Sequence, residues 1–175
     1  WEFSAVRSSA DIEDNSNSSC AGLFDSFLNV SKNELKEKVE LVRESYLKNG
    51  GNVNSPVIIQ EMINADMSGV LFTANPMGIL NETVIVVGKG LGCNVVDNKI
   101  NTTTYYYNID DDLYDFEQID NSPLLTENQI KELIDIGKKI EGIFDKKMDI
   151  EYAIKDGEIF VLQARPITTI KDKNI

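Results

Sequence analysis

Histidine is absent from all 175 residues. No catalytic imidazole, phosphohistidine or histidine metal ligand can lie within this chain. Cysteine occurs only as Cys20 and Cys93, too few for a disulfide framework, so a reducing compartment, the cytoplasm, is the expected location. Bases are scarce, 17 against 29 acids for a net charge of -12, which argues against the basic face that general nucleic-acid binding needs. No apolar run approaches the roughly 20 residues of a membrane-spanning helix. The opening stretch WEFSAVRSSA lacks the basic start and apolar centre of a secretory signal. There is no internal repeat, heptad pattern or low-complexity segment. The chain starts at Trp1, not Met, close to a strand-like segment, and a piece of a longer polypeptide is expected.

What remains is ordinary for a globular protein: 42% hydrophobic and 26% charged residues, enough for one good core or two small lobes. Phe3 to Arg7 reads as a short strand. Residues 10–22 are rich in hydroxyls and small side chains, which suits either a ligand-covering loop or a plain surface loop. Ser31 with Glu34 forms a capping-box pattern ahead of a helix whose apolar stripe is Leu35, Val39, Val42 and Tyr46 and whose end is Gly50-Gly51. Pro56 to Ile63 is a branched apolar run that predicts a buried strand. Gly69 to Thr73 and Thr83 to Val87 predict two more. The second leads into Gly88, Gly90 and Gly92, either a phosphate-cradling turn or a glycine-rich bend between strands. Thr102 to Ile109 is β-rich, and Asp110 to Asp120 reads as an acidic surface connection. Thr126 and Gln129 form a second capping box before a helix with Ile130, Leu133, Ile136, Ile140 and Ile143 facing a sheet. Strands in succession with one early and one late helix predict α+β, a largely antiparallel sheet with helices packed on one side. Residues 1–170 are expected to form one lobe, with 171–175 a frayed tail.

The stretch DIEYAIKDGEIFVLQARP, Asp149 to Pro166, reads as a hairpin turning at Lys155-Asp156-Gly157. Even positions, Ile150, Tyr152, Ile154, Phe160, Leu162 and Ala164, are apolar. Odd positions include Asp149, Glu151, Gln163 and Arg165. A two-residue Asp156-Gly157 turn would set Glu151 and Gln163 on opposite faces. A three-residue turn, with Gly157 left-handed, keeps each set together and is the expected form. Glu151, Gln163 and Arg165 then share one surface. Such a cluster is either a solvated sheet face carrying an ion pair or a cation site. A carboxylate and an amide oxygen suit magnesium, and the adjacent guanidinium suits a phosphate.

Six segments in order decide how this is read: AVRSSADIED at 5–14, CAGLFDSFLNV at 20–30, IIQEMI at 58–63, SGVLFTANP at 68–76, GKGLG at 88–92, and DIEYA with LQARPIT between 149 and 168. Together they resemble the ATP-binding domain of the phosphoenolpyruvate synthase and pyruvate phosphate dikinase family, which rifampicin phosphotransferase shares. The resemblance implies the C-terminal lobe of an ATP-grasp fold with ATP and Mg2+ as cofactors. It implies Glu151 and Gln163 as magnesium ligands, Arg7 and Arg165 as catalytic residues at the phosphates, and Gln60, Glu61, Met62 and Ile63 as the hinge around adenine. Gly22 would belong to the cover over the triphosphate. The implied reaction passes phosphate from ATP to a histidine on a separate domain and then to pyruvate. The alternatives are rifampicin as acceptor, or a non-catalytic nucleotide-binding module. The preceding lobe and the phosphohistidine domain have no counterpart here, so the isolated chain is expected to be inactive and to bind nucleotide weakly. Cys93 stands where the family usually carries Glu.

Overall fold

The computed structural model describes residues 1–9, 26–52, 54–90, 92 and 100–170. Two compact units emerge, Trp1–Met62 and Ile63–Ile175. In the first, β1 (Phe3–Ser8), β2 (Phe27–Ser31) and β3 (Val57–Glu61) form an antiparallel sheet in the order β2-β1-β3. Helix α1 (Leu35–Lys48) lays the predicted stripe on it. Val42 and Tyr46 are buried with Val6 and Val30, and Leu35 and Val39 pack at the margin. The Tyr46 hydroxyl donates to the Pro56 carbonyl at 2.7 Å and accepts the Ser9 N–H at 2.9 Å, tying the end of β1 to the start of β3. The helix ends before Gly50, whose φ of +76° glycine adopts without strain.

Two expectations for this unit are corrected. Ser31 does not cap α1. It ends β2, paired with Phe3, and the helix starts at Leu35 with Glu34 as N-cap. Glu34 still accepts from the Ser31 N–H at 3.3 Å and hydroxyl at 2.6 Å, so the box pattern closes a strand-to-helix turn instead. Strand β3 is not buried: Ile58 and Ile59 are 45% and 42% exposed. Among the described residues it is an edge strand, with β1 its one strand partner, and Val57 is its residue on the α1 core.

The second unit is a six-stranded antiparallel sheet in the order β7-β6-β5-β4-β8-β9. Its strands are β4 (Met67–Phe72), β5 (Glu82–Lys89), β6 (Thr102–Asn108), β7 (Leu113–Gln118), β8 (Met148–Lys155) and β9 (Glu158–Pro166). Helix α2 (Glu127–Phe144) covers one face. Its start is the predicted capping box: the Thr126 hydroxyl accepts the Gln129 N–H at 3.2 Å, and the Gln129 side chain accepts the Thr126 N–H at 3.0 Å. Leu71, Ile85, Val87, Tyr105, Ile150, Tyr152 and Ile154 meet Ile130, Leu133 and Ile134 in the core. The stripe differs from the expected one in its middle and at its end: Ile134 is buried on the core in place of Ile136, and Ile143 is 75% exposed, because helix packing on the core stops near Ile140. Residues 110–120 are more than a connection. Asp112, at φ +51°, turns the chain, and β7 then pairs with β6 along its whole length.

Glycine is required at the centre of this sheet. Gly69 on β4 is flanked by Val87 of β5 and Tyr152 of β8. A Cβ there would lie 1.7 Å from the Val86 carbonyl oxygen and 2.8 Å from the Tyr152 hydroxyl. The missing side chain is what lets that buried hydroxyl donate to the Val86 carbonyl at 2.8 Å. Gly69→Ala is expected to destabilise by on the order of 3 kcal/mol, through forced strand separation and loss of this bond. Tyr152→Phe, which removes one net hydrogen bond, should cost about 1 kcal/mol. Urea denaturation of the two variants checks both the size and the order of these effects.

Candidate functional site

The β8–β9 hairpin carries the candidate residues, and its geometry corrects the expected turn. Lys155 pairs with Glu158, so the loop is two residues, Asp156 and Gly157, with φ of +51° and +80°. Both signs are positive, as the type I′ hairpin turn, one of those that match the strand twist, requires. A two-residue turn should separate Glu151 from Gln163. It does not, because the ladder shifts: Tyr152 pairs with Val161, yet Glu151 pairs with Gln163. Leu162 is the extra residue of a β-bulge, and parity along β9 reverses across it.

The bulge also re-sorts the apolar side chains. Ile159 on one side of it and Ala164 on the other both pack on the α2 core. Phe160 pairs with Ala153 on the opposite face and leaves the expected apolar set. On that opposite face Glu151 stands directly across from Gln163, and Asp149 stands across from Arg165 one rung on. Toward the sheet interior, Glu151 neighbours Val70 and Asp149 neighbours Phe72. The acid, amide and guanidinium therefore do project from one surface, as expected, but through a bulge instead of a longer turn.

Asp149 is the member of this cluster that sequence reasoning left without a role. Its Oδ2 accepts from Arg165 Nε at 3.1 Å. Burial raises its carboxyl above the ordinary aspartate range, and the Arg165 charge and hydrogen bond partly offset that rise. The pair orients the guanidinium beside the Glu151–Gln163 rung. The available signal was that the two pairs are concentric about one turn, so either pairing implies the other.

The turn is itself held. The Asp66 carboxylate accepts the Asp156 N–H at 2.8 Å, and this bond lowers the Asp66 pKa. The Asp66 carbonyl accepts the Gly90 N–H at 2.9 Å, so one residue anchors both the hairpin tip and the glycine-bearing end of β5. Gly90 has a φ of +78°, which fits the glycine-bend reading of this segment.

The other expected residues fall elsewhere. Arg7, Gln60, Glu61 and Met62 lie in the first unit, and Ile63 opens the second. Arg7 pairs with Ile58 and Gln60 with Ala5, so Arg7 and Gln60 share the sheet face opposite Val6, the residue that packs against α1. Gln60 and Glu61 end β3, and the Met62 N–H donates to the Phe3 carbonyl at 3.2 Å. Gly22 and Cys93 lie outside the described residues. Among the described residues no cluster of three or more histidine, cysteine or acidic side chains is disposed to hold a metal, and no helix is long and apolar enough to cross a membrane.

Because Arg165 holds the Asp149 pKa down against burial, Arg165→Ala should push that carboxyl higher still. A raised native pKa means that ionisation of Asp149 costs stability as pH rises through it. Asp149→Asn should therefore gain on the unsubstituted chain as pH climbs through the carboxylate range. Carbon-detected NMR titration of Asp149 and denaturation from acid to neutral pH check the two directions.

Comparison with known proteins extends the reading to nearly the whole chain. The family model for the pyruvate phosphate dikinase AMP/ATP-binding domain matches residues 2–119 and 113–175. A probable phosphoenolpyruvate synthase of Archaeoglobus fulgidus is 31% identical, the match covering 97% of this chain and 27% of that protein. Rifampicin phosphotransferase of Bacillus cereus is also 31% identical, covering 95% of this chain and 23% of that protein. The chain thus spans about a quarter of the length of these relatives. Among solved structures, D-alanine-D-alanine ligase of Helicobacter pylori is similar over 95% of this chain and 43% of that one, at 14% identity and a TM-score of 0.47. With a family model matched along both units, and with relatives aligned across nearly all of its length, the chain belongs to the pyruvate phosphate dikinase AMP/ATP-binding domain family.

Proposed function

We propose that this chain is the C-terminal lobe of an ATP-grasp unit in a phosphoenolpyruvate synthase-like phosphotransferase. ATP would phosphorylate a histidine on another domain of the parent protein, and that histidine would pass the phosphate to pyruvate. The observation that carries this reading is the rung on which Glu151 faces Gln163, with the Asp149–Arg165 pair beside it, inside a chain of this family.

The donor set fits magnesium. Glu151 offers a carboxylate and Gln163 an amide oxygen, both hard ligands, and both are only partly buried. Two protein ligands are few, which suits an ion that takes its remaining oxygens from nucleotide phosphates and water. When bound, the ion supplies neutralisation of phosphate charge. The protein's own part is orientation. The bulge fixes both ligands on one face, and Asp149 holds the Arg165 fork where it can contact a phosphate bidentately. Arg7 and Gln60, Glu61, Met62 and Ile63 are proposed to serve the phosphates and the adenine ring, and Gly22 the triphosphate cover.

The match to rifampicin phosphotransferase at equal identity supports a second acceptor class within the same chemistry. Phosphate transfer by the full-length protein to pyruvate or to rifampicin distinguishes the two. Failure to phosphorylate any histidine from ATP would leave only a nucleotide-binding module.

Calorimetry on the full-length protein tests the site. Glu151→Ala and Gln163→Ala should each weaken magnesium-dependent ATP binding by at least about tenfold, roughly 1.4 kcal/mol. Magnesium-free nucleotide binding should change little. Unaltered magnesium dependence in both variants would remove the proposed ligands.

A further inference from the structure

Strand β7 ends the six-stranded sheet, and all six of its residues, Leu113–Gln118, are exposed. Its hydrogen bonds show which way the backbone points. Just past its end the Ile119 N–H donates inward to the Thr102 carbonyl at 3.2 Å. N–H groups alternate along an antiparallel strand, so those of Tyr114, Phe116 and Gln118 point away from β6. The Phe116 N–H confirms this: its acceptor is not a strand but the carboxylate of its neighbour Asp115, at 2.8 Å. The outer edge is therefore a row of backbone groups, one of them held by a side chain that an incoming strand could replace.

The surroundings of that edge select an occupant. Residues 110–120 contain six acids, Asp110, Asp111, Asp112, Asp115, Glu117 and Asp120, and no base. A second copy of this chain would set one such edge against another, acid on acid, so self-pairing is disfavoured. An extended segment bearing lysine or arginine meets complementary charge instead. Apolar side chains add contact area: Leu113 is 69% exposed and Phe116 44%. Phe116 is braced from behind by Tyr105, ring centroids 5.4 Å apart.

The geometry points to the outer edge of β7 as a docking site for a basic, extended segment of a partner protein, added as a seventh strand. Backbone bonds give affinity in this mode, and alternate side chains give specificity. Asp115 releases the Phe116 N–H to the incoming carbonyl and pairs with a cation on the new strand. The edge lies at the opposite end of the sheet from β9, so this site is separate from the Glu151–Gln163 rung.

The test uses the full-length protein and three labelled peptides: alternating lysine–valine, alternating glutamate–valine, and the lysine peptide N-methylated at alternate amides. In low salt, anisotropy should show the lysine peptide binding at least about tenfold tighter than the glutamate peptide. N-methylation should abolish most of that binding, and amide exchange at Phe116 should slow when the unmodified peptide is present. Asp115→Lys with Glu117→Lys should reverse the peptide preference. Asp115→Asn, which keeps size and hydrogen bonding, should weaken the lysine peptide without unfolding the strand. Equal binding of both peptides, no binding, or indifference to N-methylation would overturn the proposal and leave the acids as protection of a bare edge.

Discussion

One extra residue on β9 organises the candidate site. Leu162 is inserted between Val161, which faces Tyr152, and Gln163, which faces Glu151. Without it, the tight Asp156-Gly157 turn would carry Gln163 and Arg165 to the α2 face and bury them among Ile150, Tyr152 and Ile154. With it, a short turn and a polar cluster coexist. The turn satisfies the strand twist, the bulge reverses parity, and Ile159 and Ala164 both reach the core from either side of the reversal. A bulge beside a cluster of polar side chains is how sheets re-aim residues for use.

The rest of the second unit serves that hairpin. Its inner partner is β4, which must pass between β5 and β8 with no side chain at Gly69. The Tyr152 hydroxyl fills the space above it and bonds to Val86, so three strands are joined through one phenol. Asp66 fixes the hairpin tip by its carboxylate and the end of β5 by its carbonyl. Helix α2 buries the opposite face, which leaves Asp149, Glu151, Gln163 and Arg165 on the face that α2 does not cover. The scaffold is apolar on one side so that the other can carry charge.

Much of this was legible because it is local. Thr126 and Gln129 sit at box spacing and make both predicted bonds. Tyr46 and Val42 repeat at helical spacing and are buried. Strand positions followed from branched runs, and the six ordered segments identified the family. The errors were also physical. Ser31 and Glu34 have box spacing and do bond, but sheet pairing with Phe3 claimed Ser31 first. Ile58 and Ile59 look like core residues, yet strand order makes β3 an edge. The acids of 110–120 masked the alternation of β7.

Sequence alone determined which residue types are available: a carboxylate, an amide and a guanidinium at fixed spacing about an Asp-Gly turn, no histidine, and family membership. Register and strand order were left to tertiary structure. Whether Glu151 meets Gln163 depends on where the extra residue of the bulge falls along β9, and every placement of that residue gives the same local alternation. Only packing against α2 separates them, since it requires Ile150, Tyr152, Ile154, Ile159 and Ala164 inward at once. The same burial places Asp149 against Arg165, a contact between residues 16 apart that composition and periodicity cannot specify.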